Sequence, residues 1–276
     1  MSATDTAPTA PTASTEKPRP GEAAAALRRM RALGRAELTL LVRNRTAMFT
    51  ALLMPLLMVL FTRSTIRQVS LEGTGLSATG VVMTGGIAMV LVFVVYTNLI
   101  PAYVSRREEL VLKRLRTGEV RDWEILAGTS LPVVVLAVLQ CAVLVAAGSL
   151  LLDADPPRRP VLLVLGVLLG VVLMVLAAAV TAVFTRTAES SQITALPMVM
   201  VVFLGSGVFV PLEIAPDRVA DVMRLLPMTP VVDLARYGWF GGGEPGEVLR
   251  AAGVAVAWSV ASVFAVRRWF RWEPRR

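Results

Sequence analysis

The sequence predicts an all-α integral membrane protein: six transmembrane helices, an N-terminal interfacial amphipathic helix, a cytosolic helical loop and external re-entrant half-helices. Three observations carry that prediction. Six long apolar runs, bounded by arginines or turn residues, occupy about 46–62, 81–104, 131–152, 161–185, 193–210 and 248–266. Almost no ionisable residue lies inside them. Hydrophobic residues make up 55% of the chain and charged ones 17%, against about 25% charged in an ordinary soluble domain.

Length decides between spans and buried soluble helices. Bilayer hydrocarbon is about 30 Å thick, so roughly 17–25 apolar residues cross it as a helix. All six runs fit, the first and fifth barely. A soluble helix would alternate with period 3.6 and keep charges on one face. The stretch Val161-Leu-Leu-Val-Leu-Gly-Val-Leu-Leu-Gly-Val-Val-Leu-Met-Val-Leu176 is apolar all round instead.

Residues 1–21 are Ala, Thr, Pro and Ser without an apolar core, which predicts a disordered cytosolic tail. The stretch lacks the apolar segment of a signal peptide. Over 22–45, Leu27, Met30, Leu33, Leu38 and Leu41 recur at helical spacing while Arg28, Arg29, Arg31 and Arg35 take other positions. A basic amphipathic helix of this kind lies in the membrane interface; the alternative is a soluble helix packed on a partner. A six-helix domain is expected over 46–270 and a basic cytosolic tail over 271–276. Pro55 in the first span is tolerated where neighbouring helices satisfy the freed carbonyl. Gly166 and Gly170 form a G-x-x-x-G in the fourth, suited to close helix packing. The single cysteine, Cys141, reads as a small buried apolar residue, and no disulfide framework is possible.

Two connections do more than connect. The loop at about 105–130 is strongly helical, with Glu109 and Lys113 as an i,i+4 pair, Gly118 ending one helix and Asp122 capping the next. Its six basic residues face five acidic ones (Glu108, Glu109, Glu119, Asp122 and Glu124), which fits a protein-docking surface better than a lipid anchor. The loop at about 211–247 is broken by Pro211, Pro216, Pro227, Pro230 and Gly241-Gly-Gly243. Between the breaks, 219–226 and 231–237 are semi-apolar and too short to span, which predicts interfacial or re-entrant half-helices.

Orientation follows from Lys and Arg, which accumulate in cytoplasmic loops. With the N-terminus inside, the N-terminal segment holds eight of these residues, the second loop six, the fourth loop one and the C-terminus five. The outside loops hold eight altogether: Arg63, Arg67, Arg158, Arg159, Arg218, Arg224, Arg236 and Arg250. Both termini are therefore expected in the cytoplasm, in the inner (plasma) membrane of the cell. The net charge of +8 then needs no nucleic-acid partner, because anionic inner-leaflet lipid attracts the basic flanks. Trp269, Phe270 and Trp272 beside Arg267, Arg268 and Arg271 make an interfacial anchor.

Several chemistries are excluded. The chain has no histidine, and its only lysines, Lys17 and Lys113, lie outside the spans, so Ser–His and Ser–Lys proteolysis within the bilayer lack a base. All seven aspartates fall in loops or tails, and zinc chemistry lacks its usual ligands. Proton relays use Asp, Glu or His within spans, and none appears there. Neither lysine follows a glycine, so no Walker A loop exists and ATP does not bind this chain in that way. Energy for any work must come from a partner.

Placed together, these segments resemble the membrane subunit of type-2 ABC transporters, the drug- and polysaccharide-exporting permeases. The likeness rests on the amphipathic helix, on Glu108-Glu-Leu-Val-Leu-Lys-Arg-Leu-Arg-Thr-Gly-Glu-Val-Arg-Asp-Trp-Glu-Ile-Leu-Ala-Gly128, on Gly205-Ser-Gly-Val-Phe-Val-Pro-Leu-Glu-Ile-Ala-Pro216 and on Leu226-Pro-Met-Thr-Pro-Val-Val-Asp-Leu-Ala-Arg236. Thr117-Gly118 replaces the family's usual Thr-Pro after the coupling helix. The resemblance implies an ATPase-coupling helix containing Arg107, Glu108, Glu109, Leu112, Lys113, Leu115, Arg116 and Gly118. It also implies two copies of a separate ATPase subunit that carries ATP and Mg, no cofactor in this chain, and a second permease chain, expected as a homodimer. An amphipathic drug or antibiotic, a lipid or a lipid-linked glycan would move outward, with the multidrug and antibiotic-resistance branch favoured by the 6% aromatic content. The competing reading is a noncatalytic membrane scaffold or immunity subunit. Polar candidates for a substrate path are Thr97, Asn98, Gln140 and Ser206, each of which could equally bond a neighbouring helix.

Overall fold

The computed structural model describes residues 39, 78–108, 122–151, 155–207 and 216–269. The first apolar run, most of the 22–45 segment and residues 109–121 lie outside the described residues. Among the described residues the regular structure is entirely helical. In chain order α1 (Ala78–Val90) runs through a π-helical turn (Leu91–Tyr96) into α2 (Thr97–Glu108). Then come α3 (Asp122–Leu151), α4 (Pro160–Phe184) and α5 (Ser191–Gly205). Two short helices, α6 (Asp217–Met223) and α7 (Thr229–Phe240), precede α8 (Pro245–Trp269).

Four of these stretches are long and apolar enough to cross a membrane: Gly80–Glu108, Leu126–Leu151, Pro160–Phe184 and Pro245–Trp269. α4 matches its apolar run almost residue for residue, with Pro160 in its first turn, where a missing N–H costs nothing. The fifth run, expected over 193–210, is helical only from Ser191 to Gly205; Ser206 and Gly207 have already left the helix. At 15 residues α5 is shorter than the roughly 20 needed to cross alone.

The α1–α2 stretch is the interior of the bundle. Of its apolar window 72% is buried, against 11% for α8, which lies at the periphery. Met83, Ile87, Leu91, Leu99 and Ile100 are all 1% exposed or less. α4 is the hub, packing against α7, α8, the π-helical turn and α2. Small residues allow that closeness. A Cβ on Gly166 would stand 3.1–3.3 Å from Leu234, Ala235 and Val231 of α7, and one on Gly170 would meet Leu91 at 2.6 Å and Val231 at 2.7 Å. The G-x-x-x-G of the fourth span therefore seats α7 and the π-helical turn.

α7 is the least span-like helix and among the most buried. Nine of its twelve residues are buried, Arg236 and Trp239 included. It begins with Pro230 near its start and ends at Gly241 in the left-handed region (φ 78), a residue type that carries no Cβ penalty there. Val231, Leu234, Ala235 and Gly238 fall at i, i+3, i+4 and i+7, so one face meets α4 throughout. The other apolar surfaces, such as Leu168 and Val172 of α4 or Val260 and Phe264 of α8, are exposed.

Candidate functional site

Three polar constructions interrupt this apolar bundle. The first is the π-helical turn. There the N–H of Thr97 reaches Val92 O, five residues back, so the ladder shifts register. Carbonyls displaced in this way are costly in an apolar medium unless another donor meets them. The next two side chains supply donors. Thr97 Oγ1 donates to Phe93 O at 2.6 Å, and Asn98 Nδ2 donates to Phe93 O at 2.8 Å and to Val94 O at 3.1 Å. Pro101 follows one turn later and withholds a further N–H. Phe93 and Asn98 are both exposed, and the Phe93 ring lies 5.5 Å from that of Phe203 on α5. Here α5 and the π-helical turn present a partly exposed aromatic pair beside an amide.

The second construction is at the end of α2. Arg107 is 1% exposed. Its Nη1 donates to Ala182 O at 3.0 Å, and its Nη2 to Thr185 O at 2.6 Å and to Arg186 O at 3.4 Å. These carbonyls exist because α4 stops at Phe184, with Thr185 extended (φ −77, ψ 131). A helix leaves its last carbonyls without intrahelical donors and carries partial negative charge there, so a guanidinium fits on both counts. The Thr185 hydroxyl lies 2.8 Å from that of Thr194 on α5.

The third lies at the opposite end of α5. Arg236 of α7, 3% exposed, donates through Nη2 to the carbonyl of Gly207. Thr229 Oγ1 donates to Met223 O at 2.6 Å, and Trp258 Nε1 of α8 donates to Leu225 O at 2.8 Å. The connection before α4 straps the other side of α7: Arg159 N donates to Gly238 O at 2.8 Å and Arg158 N to Trp239 O at 3.2 Å.

Thr97 and Asn98 are adjacent at the π-helical turn. Gln140 is buried in α3 with its interactions made, and Ser206 is fully buried just past α5. Of the coupling residues, Arg107 is buried and Glu108 exposed. Glu109, Leu112, Lys113, Leu115, Arg116 and Gly118 lie outside the described residues, as do Leu27, Met30, Leu33, Leu38 and Leu41. In the sequence Arg236 reads only as a loop charge; the helical apolar spacing around it, between Pro230 and Gly241, is the signal that it is buried. Among the described residues no group of three or more His, Cys, Asp or Glu could hold a metal ion.

A family model described as ABC-2 type transporter matches residues 28–240. No curated protein matches the chain.

Proposed function

The chain belongs to the ABC-2 type transporter family as a multi-pass membrane permease subunit, and from that premise we propose that it exports an amphipathic substrate. ATP hydrolysis by a separate subunit drives the movement. The observation that carries this reading is the chemistry of the interior. Between Gly80 and Ser105, and throughout α4 and α5, there is no Asp, Glu, Lys or Arg to couple transport to an ion. With no Walker A loop in the chain, the driving force has to enter from a partner.

The substrate reading draws on Phe93, Phe203 and Asn98. Both hydrogen bonds of the Asn98 amide nitrogen point into the helix, at carbonyls, which leaves its Oδ1 as an acceptor on an otherwise apolar face. Such a face suits a molecule with a broad apolar surface and a few donors. It offers nothing to a phosphate, since no cation lies in that stretch, so a drug-like amphipath is favoured over a lipid-linked glycan. The working unit in this reading is two permease chains and two ATPase subunits, with both termini cytoplasmic and the ATPases docked on the 105–121 segment, within which Arg107 itself is buried in the bundle.

The deciding measurement is ATP hydrolysis by the purified complex in lipid, with and without amphipathic drugs. The wild type is expected to be stimulated, and a Glu109→Arg, Leu112→Asp double variant to lose that stimulation. If no ATPase copurifies and none is stimulated, the noncatalytic scaffold becomes the better reading.

A further inference from the structure

Arg107 and Thr185 join three helices at the end of the bundle where the 109–121 segment departs. Arg107 is the penultimate residue of α2, two positions before that segment. Its guanidinium holds Ala182 O, Thr185 O and Arg186 O, so the end of α2 is fixed to the end of α4 through a buried, charge-assisted fork. Thr185, itself fully buried, passes the connection on. Its hydroxyl lies 2.9 Å from Thr181 O and 2.8 Å from the Thr194 hydroxyl, which itself lies 3.1 Å from Ser191 O. Thr194 lies in the first turn of α5, and α5 carries Phe203, the partner of Phe93, near its other end.

We infer that Arg107, Thr185 and Thr194 are positioning residues that carry motion of the ATPase-docked segment into α5, so that α2, the end of α4 and α5 move as one body. The inference rests on the ATP-driven transport reading above. Its physical basis is that the Arg107 fork to the end of α4 is buried and charge-assisted, and that the 2.8 Å contact between the Thr185 and Thr194 hydroxyls continues it into α5. Arg107 is then no part of the docking surface itself; its side chain is spent inside the bundle. Spatial continuity does not by itself establish coupling, and a mutant cycle does.

Gln192, exposed in the same first turn of α5, gives a reporter position. Gln192→Cys, in a Cys141→Ala background, is labelled with bimane in the complex purified with its ATPase and reconstituted in lipid. Trapping with ATP and vanadate is expected to shift bimane emission. Thr185→Val and Thr194→Val keep the side-chain volume and remove one hydroxyl each. Each is expected to reduce the shift several-fold while ATP hydrolysis and the melting temperature stay close to the parent. The double variant is expected to be no worse than either single one, because both remove the same joint. Arg107→Lys keeps the charge but not the fork and is expected to reduce the shift per ATP hydrolysed. An emission shift that survives both threonine variants, or losses that multiply in the double variant, would overturn the inference while leaving transport intact. A parent complex that hydrolyses no ATP would instead remove the transport reading, and this inference with it.

Discussion

Gly238 of α7 lies so close to Leu163 of α4 that a Cβ on the glycine would stand 2.5 Å from the Leu163 nitrogen and 2.8 Å from its Cα. Both of those atoms are backbone and have no rotamer to retreat into. The contact continues through Arg159 N, which donates to the Gly238 carbonyl at 2.8 Å. A helix too short to span is held in this way against the first turn of one long and apolar enough to span.

Gly238→Ala should therefore force α7 away from α4. Overpacking of this kind costs about 1–3 kcal/mol, and the expected outcome is a clearly lower melting temperature in detergent. Gly253→Ala on α8 is the control, since a Cβ there meets nothing within 4 Å. It should be neutral or slightly stabilising, because alanine is the better helix former. Equal melting temperatures for the two variants would mean that α7 is not seated on α4 as described.

The π-helical turn makes an asymmetric prediction. Phe93 O receives both Thr97 Oγ1 and Asn98 Nδ2, whereas the Val94 carbonyl receives a side-chain donor from Asn98 alone. Thr97→Val leaves each carbonyl with a side-chain donor, and Asn98→Leu leaves Val94 O with none. A side-chain hydrogen bond contributes about 0.5–1.5 kcal/mol, and Asn98→Leu removes two of them against one for Thr97→Val. Asn98→Leu should lower the melting temperature more than Thr97→Val and should abolish drug-stimulated ATP hydrolysis. Asn98→Asp, which keeps the acceptor but loses the amide donors, should also be destabilised. If Thr97→Val proves the more damaging, the division of labour between the two side chains is wrong.

How legible this architecture is in the sequence depends on which interaction sets each element. α4 is readable nearly to the residue because the 25 residues of Pro160–Phe184 hold no charge and only one hydroxyl, Thr181, so the run lacks the periodicity of a soluble helix. The π-helical turn was not readable. Its register shift sits inside Leu91-Val-Phe-Val-Val-Tyr96, where uniform apolarity erases any periodic signal. Only the adjacent pair Thr97-Asn98 marked the place. Arg107 read as one charge among Arg106-Arg-Glu-Glu109, because local sequence describes a solvated helix and the carbonyls that bury it come from residues 182–186. Arg236 escaped for the same reason, its partner Gly207 lying 29 positions away. Long-range hydrogen bonding to backbone leaves no trace in composition.

Cys141 tests the interior of α3 directly. It is 4% exposed, and Ala137 and Leu144, one turn to either side, are fully buried. Leu139 and Val138 face outward from the same helix at 40% and 39% exposure. A thiol enclosed in this way has no water around it and no room for an incoming maleimide, so it should be inert in the folded protein. The expected outcome is negligible labelling of the purified protein in detergent, rising to one label per chain after denaturation. Leu139→Cys in a Cys141→Ala background should label in detergent, because lying two positions along the helix places it on the opposite, outward face. Rapid labelling of native Cys141 would place the Ala137–Leu144 face of α3 along a water-filled path, and Gln140, its neighbour, would then return as a substrate contact rather than a buried structural amide.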